Sequence, residues 1–306
     1  MDMNWSGVMP AITTAFDSEL NVDHSFVARH VNWLVDNGCT GIVTPGSLGE
    51  GATLSYSEKL DLWTTVTRAV GDRVPVVAAI AALSTKEAIV LAIQAANRGC
   101  RGLMVLPPYV YRSDWREMKA HVDAIFRATE LSCMLYNNPV AYGTDFLPEQ
   151  IEELAGEHKN FHAVKESSTD VRRVTAVKAL LGDRLAILVG VDDAIVESIG
   201  MGARGWVAGL VNALPKESVD LFNYAIAGES ERATKLYNWF LPLLRMDTVP
   251  KFVQLIKLVQ EEVGMGSARV RPPRLELAGA ELDEAKRIVR TALETRPEFQ
   301  TTAQVA

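Results

Sequence analysis

The chain has 306 residues, of which 48% are hydrophobic and 23% charged, a globular composition with ample length for a large core. A formal net charge of −7, from 31 basic and 38 acidic residues, leaves no dominant basic character and argues against a nucleic-acid binder. The chain opens without a basic segment followed by an apolar one, and its longest uncharged apolar-rich run, about Val74 to Leu83, is far short of the roughly 20 residues of a membrane helix; a cytoplasmic protein with no membrane partner is expected.

In chain order, GVMPAIT (7–13) is the first expected strand. Val27, Val31, Leu34 and Val35 then recur at helical spacing and stop before Gly38. GIVTPG (41–46) is the second strand, running into the glycine-rich GSLGEG (46–51). SYSE (55–58) and STKE (84–87) are S-x-x-E capping boxes that open helices on either side of the third strand, VPVVAAI (74–80). GLMVLP (102–107), SCMLYN (132–137) and FHAVKE (161–166) are the fourth, fifth and sixth strands. SSTD (167–170), a close variant of the box, is expected to start the next helix. LAILVG (185–190) and GWVAG (205–209) complete eight strands, and Asp192 and Asp193 between them read as helix caps.

Three segments repeat a Gly-x-x-Gly followed by an apolar run: NGCTGIVTPG (37–46), RGCRGLMVLPP (98–108) and MGARGWVAGL (201–210). The first glycine of each suits a left-handed helix end, and the run suits a buried parallel strand. Their separations correspond to two and four units of roughly 25–30 residues, the size of a strand–helix unit. Eight such units predict an α/β fold, a (β/α)8 TIM barrel, over residues 1–220, with residues 221–306 a C-terminal helical extension packed on it as one structural unit.

Barrels of this kind carry their active sites at the C-terminal ends of the strands. There stand GSLGEG after strand two, PPYVYR (107–112) after strand four, YNNP (136–139) at the end of strand five and Lys165 at the end of strand six. A lysine at a strand end can snorkel to water. Held among apolar walls instead, it loses its charge and becomes a nucleophile toward a carbonyl or imine. Tyr136 on the neighbouring strand could pass protons, and Ser47 could connect to the tyrosines and help bind a carboxylate. That set suits Schiff-base chemistry on a 2-oxo acid without metal or organic cofactor. Cys39, Cys100 and Cys133, an odd number with no close pair, read as small buried hydrophobes, and the five histidines show no metal-ligand spacing.

GSLGE (46–50), YNNP (136–139) and VKESS (164–168), in this order and spacing, resemble the dihydrodipicolinate synthase/N-acetylneuraminate lyase family of class I aldolase-like barrels, a likeness that runs from about Gly7 to Leu277. The resemblance implies that Lys165 is the Schiff-base lysine, that Tyr136 shuttles protons and that Ser47 binds the substrate carboxylate, with Gly46, Leu48 and Val207 also at the substrate. It implies a homo-oligomer, a tetramer built as a dimer of dimers, in which Tyr109, or alternatively Tyr111, reaches the neighbouring subunit's site. Leu48 stands where both name-giving enzymes usually carry a second hydroxyl. Ala141 stands where the synthase branch carries an arginine that grips the second substrate's carboxylate, so no bidentate clamp is available there and dihydrodipicolinate synthesis is disfavoured.

GSLGEGATLS, YNNPVAYGTDF, KESSTDVRR and GWVAGLVN are most similar to the 1-pyrroline-4-hydroxy-2-carboxylate deaminases of hydroxyproline breakdown. That likeness implies a cyclic imine as substrate and 2,5-dioxopentanoate and ammonia as products. A 2-keto-3-deoxy-sugar-acid dehydratase or retro-aldol lyase would keep the roles of Lys165 and Tyr136 and change only the bond broken. A non-catalytic binding protein on the same barrel is the more distant alternative.

Overall fold

A computed structural model of the chain describes residues 3–108 and 110–297. Strands and helices alternate as β1 (Gly7–Pro10), α1 (His24–Asp36), β2 (Ile42–Thr44), α2 (Tyr56–Val70), β3 (Val76–Ile80), α3 (Thr85–Asn97), β4 (Gly102–Val105), α4 (Trp115–Arg127) and β5 (Ser132–Asn137). The short α5 (Pro139–Tyr142) and α6 (Pro148–Glu157) lead to β6 (Phe161–Glu166), α7 (Arg172–Leu181), β7 (Ala186–Val189), α8 (Ile195–Gly200), β8 (Gly205–Ala208) and α9 (Pro215–Ile226). Then come α10 (Ser230–Leu244), α11 (Phe252–Glu262) and α12 (Gly279–Glu294). The eight strands are joined in the order β1-β8-β7-β6-β5-β4-β3-β2, every pair parallel, and a parallel bridge from Ala11 to Val43 closes the ring. This is the (β/α)8 barrel that the spacing of strand-like runs predicts.

The local reasons are visible in the residues. β2, β3, β4 and β8 are buried along their whole length because helices cover the outside of a ring already filled within. The repeated glycines Gly38, Gly99 and Gly202 end their helices at φ of 94°, 84° and 105°, a region that penalises any residue with a Cβ. Ser55 and Glu58 form a complete capping box on α2, and Ser84 accepts from the backbone N–H of Glu87 on α3. All three cysteines are free and buried. No helix among the described residues is long and apolar enough to cross a membrane.

Three local readings are corrected. SSTD does not form the expected box: α7 begins only at Arg172, Ser167 is buried below, and it is Asp170 alone that accepts from the backbone N–H of Arg172 at 3.0 Å. Asp192 does not cap its own helix, because its carboxylate turns inward to the end of β8. The strand-like run 41–46 ends at Thr44, since Pro45 and Gly46 already belong to the following turn. The helical tail also breaks at Gly228, which at φ 71° separates α9 from α10.

The C-terminal helices grip the loop after β2. Glu50, at φ 53° and 1% exposed, pairs with the buried Lys257 of α11 at 2.5 Å and accepts from the backbone N–H of Arg271 at 3.0 Å. Lys257 donates a second bond to the Arg269 carbonyl at 2.8 Å and lies 4.4 Å from the Phe16 ring centroid. A charge that far from water survives only when so partnered. The glycines of the loop are required by its packing: a Cβ on Gly49 would come 2.8 Å from the Ile12 carbonyl oxygen, and one on Gly51 2.7 Å from that of Pro45. The loop that carries Ser47 is thus held from both sides.

Candidate active site

β5 and β6 pair in a register that sets Tyr136 beside Lys165 and Asn137 beside Glu166. Successive strand residues face opposite ways, so the two pairs serve different ends. Asn137 Nδ2 donates to Glu166 Oε2 at 3.1 Å, Phe146 N donates to Asn137 Oδ1 at 2.9 Å, and Ser168 N donates to Glu166 Oε1 at 2.6 Å. These buried bonds tie both strand ends to the loops that follow. The motifs YNNP and VKESS each combine a residue that faces the mouth with one that fixes the backbone beneath it.

Lys165 is 6% exposed, and its Nζ lies 4.1 Å from the centroid of the Tyr136 ring. Burial lowers its pKa to about 8, against the opposing pull of the Asp247 and Asp192 carboxylates. An amine of pKa about 8 is roughly one-tenth unprotonated at pH 7, against about one part in three thousand for an ordinary lysine. Burial pushes the Tyr136 phenol up to about 12, so it stays protonated through the neutral range; its oxygen accepts from Asn138 Nδ2 at 2.9 Å. Addition of Lys165 to pyruvate, followed by cyanoborohydride trapping, should therefore speed up with unit slope in pH below about 8 and level off above it. A profile already flat between pH 6 and 8 contradicts the lowered pKa.

Ser47 Oγ is hydrogen-bonded to the Tyr142 hydroxyl, and the Tyr142 ring meets Tyr136 edge-on at 5.8 Å and 84°. The hydroxyl of Tyr142 interacts in turn with that of Tyr136. Ser47, Tyr142 and Tyr136 form one hydroxyl chain that ends beside Lys165. Ser47 thus connects to a tyrosine of α5. Tyr111 is 54% exposed, and Tyr109 lies outside the described residues. Behind Ser47 and Tyr142 a cavity of about 150 Å³, lined also by Lys59, Leu106 and Arg274, brings open volume up to the chain's far end. Gly46 lines the same cavity, Leu48 is buried in the core, and Val207 is buried in β8 next to Met9 of β1.

Two carboxylates complete the mouth. Asp192 accepts from Trp206 Nε1 at 2.9 Å, from Leu210 N at 2.7 Å and from Gly209 N at 3.1 Å, and burial raises its pKa to about 6. Asp247, at the end of the turn after α10, reaches over Gly209; a Cβ on that glycine would lie 2.0 Å from Asp247 Oδ1. Ser167 Oγ is buried and interacts with the Tyr136 hydroxyl, which joins it to the same hydroxyl chain. Sequence reasoning missed Tyr142, although it closes the quoted segment YNNPVAY. Asp247 gave no signal, since nothing in a helical tail distinguishes the aspartate that turns inward.

A lysine whose amine is lowered toward neutrality, a protonated phenol on a hydroxyl chain, and two carboxylates in one mouth can perform imine formation and proton transfer. A group able to hold a metal ion, Asp123, Glu157 and His158, lies on α4 and at the end of α6, where Arg127 and Lys119 already engage its carboxylates.

The family model described as the Dihydrodipicolinate synthetase family matches residues 4–292. A 4-hydroxy-tetrahydrodipicolinate synthase of Geobacter metallireducens is 31% identical over 286 residues, covering 94% of this chain and 98% of the relative. That of Methanocaldococcus jannaschii is 29% identical over 290 residues, with the same coverage of 94% and 98%. Among solved structures, the 4-hydroxy-tetrahydrodipicolinate synthase of Methylacidiphilum fumariolicum SolV superposes with a TM-score of 0.91 at 27% identity, covering 95% of this chain and 97% of the other. The dihydrodipicolinate synthase of Acinetobacter baumannii complexed with pyruvate gives 0.88 at 28% identity, over 95% and 98%.

Proposed function

The chain belongs to the Dihydrodipicolinate synthetase family, and we propose that it is a lysine Schiff-base lyase and, on the likeness of GSLGEGATLS, YNNPVAYGTDF, KESSTDVRR and GWVAGLVN to that subgroup, a 1-pyrroline-4-hydroxy-2-carboxylate deaminase that makes 2,5-dioxopentanoate and ammonia. The observation that carries the imine chemistry is Lys165, buried, with a pKa near 8 and facing Tyr136. Relatives named for the synthase share the barrel and most of the length. Against synthase activity here stands Ala141, exposed on α5, where the synthase branch has its carboxylate-gripping arginine.

Lys165 adds to C2 of the cyclic imine, and the C2–N1 bond breaks as the ring nitrogen takes a proton through Tyr136. The product is an open-chain Lys165 imine with a free amine on C5. The imine acidifies C3, whose proton leaves along the Tyr136–Tyr142–Ser47 hydroxyls toward the open volume behind them. The enamine pair then expels the C4 hydroxyl as water. Tautomerisation places a C=N bond at C5, where water releases ammonia, and a second water frees the 2-oxo acid from Lys165. One water is lost and two are consumed, which balances substrate plus one water against dioxo acid plus ammonia.

Purified protein should release ammonia from 1-pyrroline-4-hydroxy-2-carboxylate at a kcat/KM at least about tenfold above its value with a 2-keto-3-deoxy sugar acid or N-acetylneuraminate. The threshold corresponds to about 1.4 kcal/mol of transition-state discrimination. No ammonia from the imine, with turnover of the sugar acid, would replace the deaminase by a dehydratase or lyase on the same lysine.

A further inference from the structure

The mouth holds two aspartates in unlike settings. Asp192 is fully supplied with donors: the indole of Trp206 and the backbone N–H groups of Gly209 and Leu210 all point at its carboxylate. Such a cradle favours the ionised form. Asp247 comes from the segment between α10 and α11, far along the chain from both motifs that carry Lys165 and Tyr136. The residue is half-buried with its carboxylate turned inward, and among the described residues no donor hydrogen-bonds that carboxylate. It nevertheless sits against Gly209, in the space a Cβ there would fill, two residues beyond Val207 at the end of β8. The same glycine donates its N–H to Asp192. The two carboxylates therefore meet at one residue over the strand ends, within electrostatic reach of Lys165, and Asp247 also acts on Tyr136.

We propose that Asp247 is the proton donor to the hydroxyl that leaves C4, a catalytic acid brought into the barrel mouth by the C-terminal helices. The assignment rests on the elimination reading given above. Two carboxylates this close do not both ionise readily, and the donors around Asp192 decide which one keeps the proton. Burial first, and then the charge of Asp192, hold the Asp247 carboxyl well above the ordinary carboxylate range, with Asp193 adding to the effect and Lys165 opposing it.

The step balances. In the enamine, the nitrogen lone pair of the Lys165 adduct re-forms the C=N bond, the C2–C3 π pair moves to C3–C4, and the C4–O bond breaks. The Asp247 carboxyl proton passes to the departing oxygen, which leaves as water. Asp247 is left as a carboxylate and recovers a proton from solvent at the open mouth, which offsets the C3 proton released there earlier.

The test compares wild type with Asp247→Asn on two substrates, the 4-hydroxy cyclic imine and its 4-fluoro analogue, whose leaving group departs without a proton. Asp247→Asn should lose about 10²–10⁴-fold in ammonia release from the hydroxy substrate, the range of general acid catalysis. It should turn over the fluoro analogue within about tenfold of wild type, and it should trap pyruvate on Lys165 at a near wild-type rate. Full activity of the variant on the hydroxy substrate overturns the proposal and leaves the deaminase reading standing. Equal loss on both substrates together with slowed trapping also overturns it, and makes Asp247 a residue that positions Lys165. A wild-type enzyme that releases no ammonia from the hydroxy imine removes the elimination reading and this assignment with it.

Discussion

Replacing Lys165 by alanine or methionine is expected to lower kcat/KM by at least about 10⁴-fold and to abolish the mass adduct formed with pyruvate and cyanoborohydride. The argument starts from position. Lys165 is 6% exposed, faces Tyr136, and has its pKa lowered to about 8 by burial. Its Nζ lies over the Tyr136 ring within the barrel and does not snorkel to water. Methionine keeps most of the volume and removes an amine whose burial disfavours its charge, so the melting temperature should not fall as it would for a core deletion. Lys165→Arg separates nucleophile from charge: it keeps a cation near Asp192 and Asp247 but offers no amine that can form an imine. Retained turnover in any of the three, with intact folding, would remove the Schiff base from the mechanism.

The fold was legible because it is written in local, repeated signals. Apolar runs of strand length, glycines that end helices and Ser-x-x-Glu caps recur at the spacing of strand–helix units, and eight of them suit a barrel better than an open doubly wound sheet. Lys165 and Tyr136 were legible because each stands where such a run meets the mouth, and their side-by-side register follows from the sheet. Other parts of the site are set by long-range packing that one sequence does not display. Asp192 looked like a helix cap because capping is what an aspartate after a strand usually does; the indole of Trp206 and two backbone N–H groups at β8 outbid that local role. Asp247 depends on how α10 ends and on Gly209 leaving room for its carboxylate. The glutamate of GSLGEG belongs to the same class. Glu50 anchors the Ser47 loop to Lys257, some two hundred residues further on.

Gly190→Ala is expected to leave the barrel folded and to cost about 10²-fold in kcat/KM, the effect of moving a reacting group by roughly an ångström. Gly190 follows β7, and its N–H donates to the Glu166 carbonyl at 2.9 Å. A methyl group there would fall 2.0 Å from Ser167 Oγ and 2.3 Å from Lys165 Cε. Neither contact is tolerable, and neither involves backbone. Relief comes from the movable ends: Ser167 turns and Lys165 swings away from its place beside Tyr136. The backbone at Gly190 is not in the left-handed region, so alanine brings no conformational strain of its own. Circular dichroism and the melting temperature should stay close to wild type while pyruvate trapping slows in step with turnover. Wild-type trapping by the variant would show that Lys165 finds a second productive rotamer. A collapse in stability would show instead that the crowding is relieved through the sheet. The comparison with Lys165→Met then separates loss of the amine, which abolishes trapping, from loss of its position, which slows it.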